Sequence, residues 1–555
     1  MKATFKPLSL AVAVATASAG YAGIVNAQVL ADNEGLGDLA IVPYYTVQSG
    51  WSTGISVINS SDATQVVKVR MRRAVDSMDA LDFNVVMSPQ DVWTGYLEKA
   101  SDGVTIRFFT NDTSCVVPDF TAANYFEMPN IYRVGAEEGY MEIMAMGSPI
   151  NESQPIAIAA KHVDGVPRDC DRVRDNFFRG TTPTDYYLST ADALNSPDRT
   201  RTRGVINSAL TWQYAVSEEG AVLSDTPTPS SYTDADNVLK VSYFIKDDNS
   251  GTEFGSDAVH IADFMDGASI TNQRVGINEG DLQGFDHPDL NGGAPTSNLL
   301  NADGDIAAVG SYEAVREALG AQSVINDWSA NQSDLFTVDT DWVITTPGQY
   351  LMTNAAAYID ALEGADEDEV ADGNLDGCQS GNLPSITNNG EEGDPDEVNP
   401  YNPVTGANCD FRDIPLTVRA EVYDREELGI VAEEDDLVIS PTPPGETPVV
   451  NFNREVNVVS WGIESVLDSD KNIIVPVPEG GEAGWARVSV TASSKQQGIC
   501  EFTNYGVLPL PVDCEATSTP VPLIGFVAWQ RNFGANPDAN YGRVIEHSFS
   551  SEVVE

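Results

Sequence analysis

The chain has 555 residues and carries 84 acidic against 30 basic side chains, a net charge of −54. A surface this acidic repels the phosphate backbone of nucleic acids and the anionic face of a membrane, so neither is an electrostatic partner. Apolar residues make up 42% and aromatic residues 8%, enough to build a core, which excludes a disordered polyacid.

At the start of the chain, Lys2 and Lys6 precede an apolar run, Leu8 to Ala22, that ends in Val25-Asn26-Ala27. A basic start, a short apolar stretch and small or apolar residues at −3 and −1 are the layout of a secretory signal cleaved after residue 27. The run is too short to span ~30 Å of hydrocarbon. No later stretch approaches the ~18 apolar residues of a spanning helix. The mature chain is therefore expected outside the cytoplasm, extracellular or at the cell surface, with the periplasm as the alternative. It is expected to lack a transmembrane segment. Export makes the six cysteines, Cys115, Cys170, Cys378, Cys409, Cys500 and Cys514, readable as disulfides. Six allow fifteen connectivities. Pairing neighbours closes the shortest loops and favours Cys115–Cys170, Cys378–Cys409 and Cys500–Cys514. No CxxC occurs and only His162, His260, His287 and His547 are present, so a Cys/His zinc cluster is not expected.

Residues 38–118 read as short strands. Leu39 to Tyr45 is a continuous apolar run. Gly54 to Asn59 and Val66 to Met71 alternate with period two, the latter with Lys68 and Arg70 on one face. Leu81 to Met87, the turn Ser88-Pro89-Gln90-Asp91, Val92 to Leu97 and Val104 to Phe109 follow. Regular spacing with Pro, Asp and Gly turns predicts an immunoglobulin-like β-sandwich. Gly139 to Met146, Ile156 to His162 and Val238 to Ile245 read as further strands, and Asp171 to Gly180 and Ser189 to Leu194 as short helices. Residues 220–237, rich in Ser, Thr, Pro and Asp, read as an exposed loop. The segment 311–328 is the best helical candidate, with Val315, Ala318 and Leu319 on one face and Gly320 weakening its middle. Trp342-Val343-Ile344 reads as a buried strand and 361–413 as a long acidic loop. Strands return at Val449 to Phe452, Val456 to Trp461, Ala486 to Thr491 and Pro522 to Gln530.

The expected fold is thus mainly β: immunoglobulin-like β-sandwiches with a mixed, loop-rich middle region. Residues 1–27 form the signal peptide and 28–120 the N-terminal sandwich. Residues 121–445 form the middle region, and 446–555 a C-terminal β region that either completes the first sandwich or forms a second. Three stretches, 37–97 (from GDLAIVPYYTVQSGWSTGISVINSS to DVWTGYL), 339–350 (DTDWVITTPGQY) and 525–549 (GFVAWQRNFGANPDANYGRVIEHSF), resemble a group of uncharacterised exported or surface-associated proteins of Proteobacteria. The resemblance implies an exported, β-rich protein and carries no catalytic residue with it.

Asp372-Gly373-Asn374-Leu375-Asp376-Gly377 matches the first half of a calcium loop, with three alternating oxygen ligands and a Gly at the sharp turn. Position twelve of such a loop is Leu383 rather than Glu, so a complete EF-hand is excluded. Asp366 and Asp368 upstream offer substitute carboxylates. The segment reads either as a Ca2+ site made by Asp366, Asp368, Asp372, Asn374 and Asp376 or as a solvated acidic loop, the commoner use of such residues. Asn301, Asp303 and Asp305 form a weaker version. Asp468, Asp470, Asn472 and Glu479 share the calcium spacing, but Ile473 replaces the Gly, and a hairpin turn explains them better. No G-x-S-x-G elbow, H-E-x-x-H pair, phosphate loop or haem motif is present. His287, between Asp286 and Pro288, is the most polar histidine and reads as a loop residue. Trp51, Tyr44 and Tyr45 serve either as sugar-stacking rings or, more commonly, as core. These features favour a non-catalytic secreted or cell-surface structural or attachment protein, with self-association or other surface components as partners. The alternatives are an extracellular carbohydrate-directed hydrolase and a soluble periplasmic binding protein.

Overall fold

The computed structural model describes residues 35–117, 125–128, 135–175, 232–265, 288–290, 312–348, 416–431, 449–491, 499–502, 511–515 and 521–550, apart from breaks of one or two residues. The protein is mainly β, built of several sheets that are antiparallel at every described pairing but one. The first half contributes β1 (Leu39–Thr46), β2 (Trp51–Asn59), β3 (Gln65–Arg73), β4 (Asp79–Met87), β5 (Val92–Lys99), β6 (Ile106–Phe109), β7 (Cys115–Val117), β8 (Tyr125–Glu127) and β9 (Glu138–Pro149). After a small hairpin, β10 (His162–Val163) with β11 (Val166–Pro167), come β12 (Tyr232–Thr233), β13 (Leu239–Asp247), β14 (Glu253–Asp257) and β15 (Val259–Ile261).

These strands form one sheet in the order β15-β1-β9-β3-β4-β7, with β12 beside β9, and a second in the order β14-β13-β2-β5-β6-β8. The inner faces meet through aromatic side chains. Phe83 of β4 packs 5.7 Å from Trp93, 5.2 Å from Phe108 and 5.3 Å from Phe126, ring centre to ring centre. Strands β9 and β13, beyond residue 120, sit in the interior of the two sheets. The uninterrupted apolar run of β1 is explained by burial along its whole length. Pro43 is tolerated there because the β1–β9 register shifts between Val42 and Tyr45, at the residue that has no amide hydrogen to donate.

The second half contributes β16 (Gly320–Ala321), β17 (Ser323–Gln332), β18 (Thr337–Thr345), β19 (Leu416–Asp424), β20 (Gly429–Val431), β21 (Val449–Phe452), β22 (Val456–Trp461), β23 (Ile473–Val475) and β24 (Ala483–Thr491). They are followed by β25 (Ile499–Phe502), β26 (Pro511–Glu515), β27 (Val521–Pro522), β28 (Ile524–Asn532), β29 (Tyr541–Glu546) and β30 (Ser548–Ser550). The main array runs β20-β19-β24-β17-β18-β22-β23, with β28 and β29 branching from β18. Strand β17 belongs to both wings of this array. Ser323–Ser329 pair with β24, and Ala330–Gln332 pair with β18. One apolar core runs through both halves. Thr345 Oγ1 donates to the Pro43 carbonyl (2.6 Å), Gln530 Nε2 donates to Thr252 Oγ1 (3.0 Å), and Tyr243 packs on Phe526.

Three local readings are corrected. The strand expected for 156–162 is a helix over Pro155–Ala160, with Pro at its first turn, where its missing amide hydrogen costs nothing, and only His162 belongs to a strand, β10. Ile156, Ala157, Ala159 and Ala160 are all buried. The helix predicted for 311–328 covers only Tyr312–Leu319. Gly320 ends it, and Val324 and Ile325 extend into β17, where β-branched side chains pack well. The Asp468 segment is not a hairpin. Asp468 takes a positive φ of 51°, and the following β23 runs parallel to β22, which a tight hairpin turn cannot produce.

Candidate functional site

A cleft of about 610 Å³ opens where β17 passes from one wing to the other. Register builds it. Tyr423 of β19, Trp485 of β24 and Asp327 of β17 lie directly opposite one another on three adjacent strands. Directly opposed residues point to the same face, so these side chains stand side by side. The Tyr423 and Trp485 rings stack at 4.7 Å and 17°, which fixes the indole upright while 39% of Trp485 remains exposed. Beneath them, buried Trp328 donates its Nε1 hydrogen to the carbonyls of Tyr423 (3.0 Å) and Trp485 (3.2 Å), tying the three strands together.

The opposite wall comes from β28 and β29. Trp529 pairs with Arg543, whose guanidinium lies 4.6 Å above the indole. Arg531 lies 3.7 Å over Phe336 and 5.0 Å over Phe533. Such cation–π contacts hold long side chains in place at a surface. Asp424, Arg425 and Glu482 also line the cleft, so three carboxylates, counting Asp327, face three guanidiniums. Glu482 accepts a hydrogen bond from Asn331 Nδ2 (2.7 Å). Asn331 Oδ1 and Arg531 Nε are shielded from solvent and have no hydrogen-bond partner among the described residues. The cleft thus offers aromatic rings fixed by stacking and by guanidinium contacts, edged by charged side chains.

Strongly perturbed carboxylates lie elsewhere. Burial pushes Asp341 up to about 6 although four groups donate to it: Ser460 Oγ, Ser465 Oγ (2.8 Å), and the amides of Val466 and Leu467 (2.8 Å each). Burial raises Glu138 to about 7, against the hydrogen bonds from Ser469 Oγ (2.8 Å) and the Asp470 amide (3.2 Å). Asp38, likewise raised by burial to about 6, accepts from the amides of Phe264 and Met265. Each carboxylate fastens a loop. Burial lowers His547 to about 3 and His260 to about 4, so both rings are neutral near pH 7. His547 lies between Asn326 Nδ2 and the Val343 carbonyl, and His260 Nε2 accepts from the Val241 amide.

Ser88, Asp91 and His162 do converge. However, Ser88 Oγ (2.9 Å) and Asp91 (3.7 Å) approach the same ring nitrogen, Nδ1. A serine relay needs them on opposite nitrogens. Asp91 instead accepts from the Ser88 amide and Ser114 Oγ, which closes the Ser-Pro-Gln-Asp turn. Trp51, Tyr44 and Tyr45 are buried and serve the core, the commoner of their two readings.

Cys115 and Cys170 form a disulfide, which ties β7 to the helix Cys170–Asp175. Cys500 and Cys514 are opposed residues in the β25–β26 register. Cys378 and Cys409 lie outside the described residues, as do His287, Asn301, Asp303, Asp305 and the calcium candidates Asp366, Asp368, Asp372, Asn374 and Asp376. Of the shorter calcium-spaced set, Asp470 accepts from Gln48 Nε2 (3.1 Å) and Asn472 Oδ1 lies 2.8 Å from Ser460 Oγ, both structural contacts. Among the described residues no cluster of three or more His, Cys, Asp or Glu is arranged to hold a metal, and no helix is long and apolar enough to cross a membrane. Comparison with protein families, with characterised proteins and with solved structures finds no match to this chain.

Proposed function

We propose that this is an exported, non-catalytic attachment protein of the cell surface, which engages its target through the cleft at β17. The observation that carries this reading is the set of aromatic side chains fixed by strand register and by guanidinium contacts around an open cleft. The carboxylates with raised pKa, the groups an acid–base enzyme would place at its centre, fasten loops away from it. We read each half as a two-layer, immunoglobulin-like sandwich. In support, the chain alternates between layers: β1 in one, β2 in the other, β3 and β4 back in the first, β5 and β6 in the second. Export rests on the N-terminal pattern and agrees with the disulfide, since such bonds persist in oxidising compartments. The acidic loop around Asp372, Asn374 and Asp376 is the place where calcium would join the assembly.

Antibody labelling and protease shaving of intact producing cells test the reading. Surface reactivity is expected. Recovery of the chain only from the cytosol, or its release as a freely diffusing enzyme with turnover on a glycan, would overturn it.

A further inference from the structure

We propose that the β17 cleft binds an uncharged polysaccharide, with pyranose rings lying against Trp485 and Trp529. This rests on reading the cleft as the attachment site. Sugar rings present C–H faces to an aromatic surface and hydroxyls around their rim. The cleft supplies both complements: the exposed Trp485 indole and the half-buried Trp529 for the faces, and carboxylates, guanidiniums and the Asn331 amide for the rim. Tyr423, Trp485 and Asp327 span two strand intervals, roughly 10 Å, the reach of a disaccharide.

Charge selects among glycans. Asp327, Asp424 and Glu482 are matched by Arg425, Arg531 and Arg543, so the cleft has no net sign to attract a polyion. Around it, a chain of net charge −54 repels polyanions such as uronates. Two of the guanidiniums are already seated on rings, which leaves their edges to donate to hydroxyl oxygens.

The test is isothermal titration and affinity electrophoresis of the full mature chain. The probes are a neutral β-glucan, a galactomannan, alginate as a polyanion and hexalysine as a cationic peptide. Binding to one or both neutral polymers is expected, with no retardation by alginate at low salt. Trp485→Ala and Trp529→Ala should each weaken binding roughly five- to tenfold. Trp485→Phe should retain part of the affinity, and Phe244→Ala, on a distant sheet face and 39% exposed, should leave it unchanged. An unaltered thermal transition in Trp485→Ala shows that the loss is local. Binding of hexalysine or alginate in preference to both neutral polymers overturns the ligand assignment. So does neutral-polymer binding that survives both tryptophan substitutions. Surface labelling together with no glycan binding refutes this inference and leaves the attachment reading standing. Cytosolic recovery removes the attachment reading whatever the titration shows.

Discussion

Replacing Asp341 with asparagine is expected to stabilise the protein at pH 8 and to change little near pH 4. Asp341 is fully buried, and its carboxyl is pushed from 3.8 to about 6. That displacement corresponds to about 3 kcal/mol in favour of the neutral acid. Below pH 4 the group is protonated in folded and unfolded chains alike, so its ionisation costs nothing. Between pH 4 and 6 the unfolded chain loses the proton first, and the folded state loses stability as pH rises; above 6 the loss is complete. Asparagine mimics the neutral acid. Its oxygen can still accept from Ser465 and from the Val466 and Leu467 amides, while Ser460 can turn its hydroxyl to Asn472, 2.8 Å away. The expected gain at pH 8 is about 1–3 kcal/mol, read as a higher urea midpoint with unchanged slope. Asp341→Ala should do the opposite. It orphans two buried amides at about 1–3 kcal/mol each, against the relief of the buried charge. If the Asp341→Asn protein lost more than about 1 kcal/mol at pH 8, the carboxylate's charge would be stabilising the loop and the burial argument would fail.

Asp38, Glu138 and Asp341 all have raised pKa values, so the native chain should melt higher at pH 5.5 than at pH 8, and Glu138→Gln should flatten the upper part of that slope; scanning calorimetry across pH checks both. Reduction, or Cys115→Ser with Cys170→Ser, opens a loop with a sequence separation of 55 and should cost roughly 4 kcal/mol in chemical denaturation. Gly54→Val should push Phe244 off the sheet, because a Cβ at Gly54 would run into that ring. A loss of about 1–3 kcal/mol is expected, with Phe244→Ala restoring part of it. Millimolar calcium should raise the melting temperature if Asp372, Asn374 and Asp376 bind it, and Asp372→Asn with Asp376→Asn should abolish the rise.

Much of the β architecture was legible because its signals are local. The apolar run of β1 and the alternation in β2 and β3 need no distant partner to be recognised. Their surroundings were not legible. Lys68, Arg70 and Arg72 look like a solvated stripe, yet all three are buried, answered by Asp82 on β4 and Glu142 on β9. Removing either acid would take away one of the counter-charges that answer these buried cations, a fact that only the sheet order reveals. The cleft was hidden for the same reason. Tyr423, Trp485 and Asp327 come from three remote segments and meet only through register. The rings singled out in the sequence, Trp51, Tyr44 and Tyr45, were conspicuous because they belong to strongly patterned strands, and strong patterning marks the core. Helix limits failed where composition was ambiguous: Ile156-Ala157-Ile158-Ala159 suits either state, and Pro155 decides it.

The passage of β17 between two wings has a mechanical side. Under the proposed attachment role, a ligand pulling on the cleft would load Asp327 and its neighbours, which are laced to β24 along Ser323–Ser329, to β30 along Ser323–Ile325 and to β18 along Ala330–Gln332. Tension along such a strand meets its ladders in shear, where many hydrogen bonds must give way together, rather than one after another as in peeling. The buried Trp328, bonded to the carbonyls of Tyr423 and Trp485, acts as a rivet beneath the cleft. The strand that shapes the cleft would thus also carry such a pull into three neighbouring strands.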